Sequence, residues 1–333
     1  MISKTLYDYL GTDKIMKSVF DWLREIDSGL LDVVPVVTVS DNGVKYNVAT
    51  TDPSGSWIDV DDEIPEDTGT FTQRSAALYR FINDANVDKM RMDMSGTQNV
   101  AATEIKRVTA AMMRNLYAAM LWGQTTTSSG TKQPKGLVLL TAELQSEATV
   151  TLDGAGVNNT QVVANHATSG ALTLAKIEEM MDQVKRGCNG LIMSRQTRRK
   201  VNALSNAAGT PVQQDKDSYG RNIEVYQGAK IYIMDAMDNN IPDSAASILT
   251  IASHDRSATW ASGADNTIIL GTHFAPDGVC MIQTPNGKFQ KEAPFTHPKK
   301  DAYVHRFKWY GGFACFDKFS LAALTGIATD AAS

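Results

Sequence analysis

The strongest candidate for chemistry in this sequence is a cluster of acidic residues between positions 59 and 67. The cluster consists of Asp59, Asp61, Asp62, Glu63, Glu66 and Asp67. Carboxylate oxygens are the ligands that Ca²⁺ prefers, so one hypothesis is a metal site in a metal-dependent enzyme of unrecognised type. The cluster lacks the glycine and the ligand spacing of an EF-hand loop. The pattern therefore favours a solvated or partner-facing loop over a metal site.

Two further features extend the hypothesis of a partner-facing loop. Trp57 precedes the acids in a segment with little apolar sequence of its own, so we expect this tryptophan to pack against another surface. A basic cluster on a predicted helix consists of Arg195, Arg198, Arg199 and Lys200. Such a run of cations is usually a solvated helix face, and the alternative is a contact with the acidic loop of another subunit.

The sequence contains none of the common catalytic, nucleotide-binding or metal-binding motifs. The five histidines show no metal-ligand spacing, and neither a nucleophile elbow nor a phosphate-binding glycine loop occurs. The three cysteines, Cys188, Cys280 and Cys315, are odd in number and far apart, which favours free thiols in a reducing compartment. We therefore expect no catalytic residue, no bound metal and no cofactor.

Composition and charge exclude several classes of protein. The 333 residues are 43% hydrophobic and 21% charged, which is typical of a folded chain of about two domains rather than a disordered one. Thirty-seven acidic residues against thirty-two basic ones give a formal charge of −5, without a long basic block, so sequence-specific nucleic-acid binding is not expected. No run of about 18 apolar residues indicates a membrane span.

The N-terminal half shows both helical and strand periodicity. An amphipathic helix is predicted over residues 14–31, and strands over 33–40 and 44–48 are separated by Asp41-Asn42-Gly43, a typical hairpin turn. The segment 44–80 is predicted to form two strands that run out to a polar tip and back. A long helix is predicted to begin after Gly96 and to end at Trp122, because apolar residues recur every three or four positions.

The remaining sequence alternates short helices and strands. Residues 136–140 are predicted to form a buried strand, and residues 151–170 a loop or small hairpin. Thr173 and Ser194 are predicted to cap a second and a third helix, the third over residues 195–204. Further strands are predicted over residues 191–193, 223–226, 230–234, 247–252, 266–270, 278–284 and 303–316.

The order of these segments resembles the major capsid proteins of tailed bacteriophages, which have the Hong Kong 97 fold. The resemblance covers nearly the whole chain and depends on a succession of motifs rather than on any one of them. The motifs are SGSWIDVDDEIPEDTGTF in the loop, LWG at the end of the long helix, QPKGLVLL, LTLAKIEEMMDQVKRGCNGLIMSRQTRRKVNAL, GRNIEVYQGAKIYIMDAM and AYVHRFKWYGGFACFDKFSLAALTGI.

The resemblance implies an α+β, Hong Kong 97-like capsid fold with four parts. These are an N-terminal arm (1–43), an extended loop (44–80), a peripheral domain with a long spine helix (81–136 and 301–333), and an axial domain (137–300). Lys45, near the base of the loop, is the only lysine in the loop. The prototype of the family links its subunits covalently through a lysine in this loop. Because the lysine here lies near the base of the loop instead, we expect non-covalent assembly.

The same resemblance implies a structural protein of the virion rather than an enzyme. Copies would assemble in the host bacterial cytoplasm into hexamers and pentamers of an icosahedral shell that encloses double-stranded DNA without sequence-specific binding. Scaffold, portal and decoration proteins are the further partners expected. The acidic loop and Trp57 would then contact a neighbouring subunit, with the basic cluster as one candidate partner surface. The alternative within this fold is an encapsulin shell, which encloses an enzyme instead of a genome.

Overall fold

The structure is a computed structural model of the chain. It describes residues 29–30, 33–51, 55–61, 63–64, 66, 68–94, 100–123, 125, 132–147, 161–165, 170–216, 222–234, 237, 266–285 and 289–328. The helix expected over 14–31 lies almost entirely outside these residues. The strand expected over 247–252 and most of the loop expected over 151–170 also lie outside them.

The described part of the chain contains both helices and strands, which agrees with the α+β class expected from the sequence. The α-helices are α1 (Lys89–Met94), α2 (Val100–Trp122), α3 (Leu137–Glu147), α4 (Leu174–Gln183) and α5 (Arg195–Ala207). The strands are β1 (Val36–Thr38), β2 (Gly43–Thr51), β3 (Thr70–Ala77), β4 (Tyr79–Asp88), β5 (Val162–Ala164), β6 (Gly190–Met193), β7 (Gln213–Lys216), β8 (Asn222–Tyr226), β9 (Ala229–Ile233), β10 (Asn266–Thr272), β11 (Val279–Gln283), β12 (Gln290–Lys291), β13 (Phe295–Thr296), β14 (Ala302–Cys315) and β15 (Leu321–Ala328).

A six-stranded sheet is organised around the long strand β14. One edge of β14 pairs antiparallel with β4, from Ala302 opposite Asp88 to Gly311 opposite Tyr79. Its other edge pairs with β13, β12 and β11, and β11 pairs in parallel with β1. The buried side of α2 supplies Met112, Leu116 and Met120 to the hydrophobic core that also contains Phe307, Trp309 and Phe313 of β14. The long helix expected from the sequence is thus confirmed, and its 23 residues span about 34 Å.

A seven-stranded sheet runs in the order β5-β15-β10-β6-β9-β8-β7. Strands β6 and β9 are parallel, and α5 connects them along the chain through a stretch that includes β7 and β8. Every residue of β6 is buried, because α4 and α5 pack against one face of the sheet and the main core lies against the other. Ser194 begins α5 as expected, since its Oγ accepts the backbone N–H of Thr197 at 3.2 Å.

A separate two-stranded ribbon is formed by β2 and β3, which pair antiparallel from Gly43 opposite Ala77 to Thr51 opposite Thr70. The ribbon confirms that this stretch consists of two strands running out and back. The segment between the strands, residues 52–69, is named the loop tip below.

Two sequence predictions were wrong. Residues 136–140 are not a strand: α3 begins at Leu137, and the N–H of Leu140 donates to the carbonyl of Gly136 at 2.9 Å. A short apolar run such as GLVLL has no period that separates a buried helix from a buried strand. Asp41-Asn42-Gly43 does not close a hairpin either, because β1 pairs with β11 while β2 pairs with β3. The turn instead directs the chain from one sheet to another.

The two large sheets do not follow the domain boundaries expected from the sequence. Strands β11 to β13, expected in the axial part, belong to the six-stranded sheet around β14. Strand β15, expected in the peripheral part, lies inside the seven-stranded sheet between β5 and β10. The physical reason is that the chain crosses between the sheets twice in its last quarter, after β10 and again after β14. These crossings depend on non-local pairing that local sequence patterns do not encode.

Candidate assembly surfaces

The loop tip exposes a group of large apolar side chains. Trp57 is fully exposed, and Ile58, Val60 and Ile64 are exposed beside it. Burying one such side chain stabilises a contact by roughly 1.5–3 kcal/mol, so leaving several in water at the end of a ribbon is unfavourable for an isolated subunit. Contiguous apolar exposure of this kind is typical of a surface that binds another protein.

The described acids of the cluster surround these apolar residues and are also exposed. The Oδ1 of Asp59 accepts the N–H of Val60 at 2.7 Å, which holds the backbone in a tight turn. Asp61 follows with a φ of 72°, in the left-handed region that aspartate tolerates better than most residues. Glu63 and Glu66 are exposed, whereas Asp62 and Asp67 lie outside the described residues. Within the described ranges, no group of three His, Cys, Asp or Glu side chains is placed to hold a metal ion.

The basic cluster on α5 is partly engaged within its own subunit. Arg198 contacts the Glu224 carboxylate of β8 at 3.2 Å, and Asn202 donates to the same carboxylate. Lys200 donates to the carbonyl of Ala328 at 2.6 Å, at the end of β15. Arg195 and Arg199 have exposed side chains. Arg198 and Lys200 therefore hold the helix to strands of the seven-stranded sheet.

A second group of exposed apolar side chains lies at the end of the six-stranded sheet where β14 begins. The sequence patterns did not predict this group. It consists of Met90 and Met94 on α1 and Tyr303 on β14, and it is named the hairpin patch. Tyr303 pairs with Thr296 of β13 on one side and with Val87 of β4 on the other. The local sequence contains no signal for this patch, because non-local strand pairing brings its members together.

The hairpin patch is surrounded by charged side chains. Lys89 lies 5.1 Å from the Tyr303 ring centre and forms an ion pair with Asp301 at 2.7 Å. Arg91 on α1 is also exposed, as are Lys299 and Lys300 in the turn between β13 and β14. The margin of the patch is thus of mixed charge, because the exposed Asp88, Asp93 and Asp301 lie on β4, on α1 and in the turn before β14, whereas the margin of the loop tip is acidic.

Comparison with known proteins identifies the family. The sequence matches the phage capsid family over residues 13–262, whereas no curated protein sequence matches. Among solved structures, the chain is similar to the holo-SrpI encapsulin complex of Synechococcus elongatus PCC 7942, with 13% identity and a TM-score of 0.59 over 94% of this chain and 89% of that one. It is also similar to the capsid of the native GTA particle, with 16% identity and a TM-score of 0.56 over 89% of each chain.

Mycobacterium phage Bobi gives a comparable match, with 13% identity and a TM-score of 0.54 over 89% of each chain. At these identities the similarity to the solved structures shows the fold. The match to the family over three quarters of the sequence shows that the chain is a member of that family. None of the described helices is both long enough and apolar enough to cross a membrane. The chain therefore belongs to the phage capsid family and is a major capsid protein with the Hong Kong 97 fold.

Proposed function

We propose that copies of this chain assemble through their loop tips into hexamers and pentamers of an icosahedral virion shell that encloses double-stranded DNA. The observation that carries the proposal is the fully exposed Trp57, set among exposed apolar and acidic residues at the end of a ribbon. A neighbouring subunit is the partner that would bury this surface in every copy. Assembly would take place in the host bacterial cytoplasm, and scaffold, portal and decoration proteins are further partners in this proposal.

The proposed parts of the subunit follow the sheets. The six-stranded sheet with α2 serves as the peripheral domain and its spine helix, and the seven-stranded sheet with α4 and α5 serves as the axial domain. The arm expected over residues 1–43 is here the chain before β1, because β1 belongs to the six-stranded sheet, and the ribbon with its tip serves as the extended loop. The net charge of −5 supports a wall that encloses DNA without holding it, because a basic inner surface would retain phosphates. The subunit acts as a building block and not as an enzyme.

The hairpin patch is the proposed acceptor of the loop tip on the neighbouring copy. Both surfaces are apolar at their centres, and the exposed Lys299 and Lys300 beside the patch offer cations to the acids of the tip, which supports a head-to-tail contact between two different surfaces. The basic cluster on α5 remains the second candidate acceptor, with Arg199 as an exposed member. Arg198 and Lys200 are less suited to this role, because each already contacts its own subunit.

Microscopy of the purified protein tests the proposal directly. Closed particles that protect DNA from nuclease support the phage shell. Closed particles that instead contain a co-purifying enzyme support the encapsulin alternative, and soluble subunits that never close contradict both.

A charge reversal distinguishes the two candidate acceptors. Asp61→Lys should lower the yield of closed particles at least tenfold while leaving the subunit folded, because the side chain is exposed and the shell repeats the contact many times. If the hairpin patch is the acceptor, Lys300→Glu in the same chain should restore part of the yield and Arg199→Glu should not. Asp215→Lys is the control, since Asp215 is also an exposed aspartate but lies on β7, outside the loop tip. A normal yield from Asp61→Lys contradicts a role for the tip.

A further inference from the structure

The base of the ribbon contains a buried arginine in a mostly exposed strand. Arg74 of β3 is only 7% exposed, although Gln73 and Ser75 on either side of it are exposed. Its Nη2 donates to the carbonyl oxygen of Glu143 in α3 at 2.9 Å. A guanidinium removed from water needs such hydrogen-bond partners, so the position of this group is strongly constrained.

The surroundings of Arg74 form a small apolar joint between the ribbon and the six-stranded sheet. Tyr46 lies directly opposite Arg74 in the register of β2 and β3. The Tyr46 ring packs edge-on against Phe316, with ring centres 5.0 Å apart. Ala76 packs with Cys280 of β11 in the same cluster. Beyond this joint, the far part of β3 is exposed, so the described contacts that hold the ribbon are concentrated at its base.

Helix α3, which provides the carbonyl for Arg74, is itself fixed to the end of α2. The N–H of Gly136, just before α3, donates to the carbonyl of Gly123 at 2.9 Å, just after α2. Lys135 forms an ion pair with the Glu143 side chain at 2.7 Å. A chain of contacts therefore runs from α2 through α3 and Arg74 to the ribbon.

We propose that Arg74 is a positioning residue that fixes the direction of the extended loop relative to α2 before a neighbouring subunit binds. Rotation of the ribbon about its base would move the guanidinium away from the Glu143 carbonyl while it stays buried, which is unfavourable. At about 3.3 Å per residue, the strand from Tyr46 to Thr51 places the tip roughly 17 Å from the joint, so a rotation of about 10° would displace the tip by roughly 3 Å. Such a displacement is large enough to misalign a packed interface.

The role of Arg74 in assembly rests on the proposed function, whereas the direction of the loop can be measured in single subunits. Spin labels at Ser56→Cys in the tip and Lys106→Cys on α2, in a Cys188→Ala background, report the distance between loop and helix in dilute, unassembled protein. We expect one narrow distance distribution for the reference protein and a distribution at least twofold broader for Arg74→Met. Closed particles from Arg74→Met should be fewer or irregular in shape.

Glu143→Gln is the matched control, because it removes the ion pair with Lys135 but keeps the carbonyl that accepts from Arg74. We expect this variant to keep the narrow distribution. If Arg74→Met does not fold, Arg74→Lys keeps a cation with a shorter reach and should give an intermediate width. A distribution as narrow as the reference in the folded Arg74 variants overturns the proposal. Failure of the reference protein to form particles, with a narrow distribution retained, contradicts the proposed function and leaves the positioning role intact.

Discussion

At the scale of single residues, two thiols and one phenol are kept protonated by burial beneath the extended loop. Burial raises the pKa of Cys280 to about 12, and the negative charge of Asp277 acts in the same direction. Burial likewise raises the pKa of Cys315 to about 12, with Asp317 raising it further and Arg74 lowering it. The pKa of Tyr46 is raised by the same burial. Each of these groups is favourable in the joint as its uncharged, protonated form, because burial disfavours the charged form.

Stability should therefore fall in alkaline solution. A thiol with an ordinary pKa of 9.0 titrates in the unfolded chain at a lower pH than in the native subunit, so its stabilising contribution is complete below pH 9 and is lost between pH 9 and 12. At pH 10 the loss is about 1.4 kcal/mol for one such thiol. The difference in unfolding free energy between the reference protein and Cys280→Ala, measured by urea denaturation, should be smaller by this amount at pH 10 than at pH 7. An unchanged difference would contradict the assignment.

At the scale of elements, the parts that could be predicted from the sequence are those with local signals. The period of Ile105, Met112 and Leu116 predicts α2, and Ser194 predicts the start of α5, because both signals are contained within one turn or one helix face. The alternation in β2 and β3 predicts the ribbon for the same reason. Helix α3 and the pairing of β1 could not be predicted, since burial on all sides removes the period and partners distant in sequence decide the pairing.

The candidate surfaces follow the same rule. Trp57 and the acids stand out in the sequence because they are adjacent in it. The hairpin patch depends on the pairing of β13 and β4 with β14, and the Arg74 joint depends on the approach of β3 to α3. Nothing in the local sequence around Arg74 distinguishes it from an exposed strand residue. Sequence patterns thus predict a surface formed by one segment, but not one formed by several.

The junction between α2 and α3 is the tightest point between two elements. A Cβ added at Gly136 would lie 2.5 Å from both the Gly123 nitrogen and the Leu121 carbonyl oxygen, and these backbone atoms cannot move aside without disturbing the end of α2. Gly136→Ala should lower the unfolding free energy by about 2–4 kcal/mol. Gly55→Ala, where a Cβ meets no atom within 4 Å, should change it by less than about 0.5 kcal/mol. If chemical denaturation gives the same loss of unfolding free energy for both variants, the backbone at the junction relaxes around the added Cβ and the prediction is contradicted.

At the scale of the whole molecule, the two large sheets are joined where the chain crosses between them. The crossing after β10 and the crossing after β14 lie side by side, since the N–H of His273 donates to the Ser320 carbonyl and the N–H of Phe316 donates to the Gly278 carbonyl. Arg186, in the loop after α4, contacts both crossings: its guanidinium pairs with Asp277 in one and lies 2.7 Å from Asp317 in the other. One side chain thus connects the loop after α4 to both connections between the sheets.

This arrangement predicts that Arg186 affects the angle between the sheets more than the stability of the subunit. The Arg186 side chain is about half exposed, so Arg186→Ala should lower the unfolding free energy by less than about 1 kcal/mol. A small change in the angle between two sheets is repeated in every subunit of a closed shell and alters its curvature. We therefore expect a broader distribution of particle diameters in electron micrographs of Arg186→Ala. Lys176→Ala, which removes an exposed ion pair to Glu179 within α4 alone, should keep the reference distribution, and equal distributions for both variants would contradict the prediction.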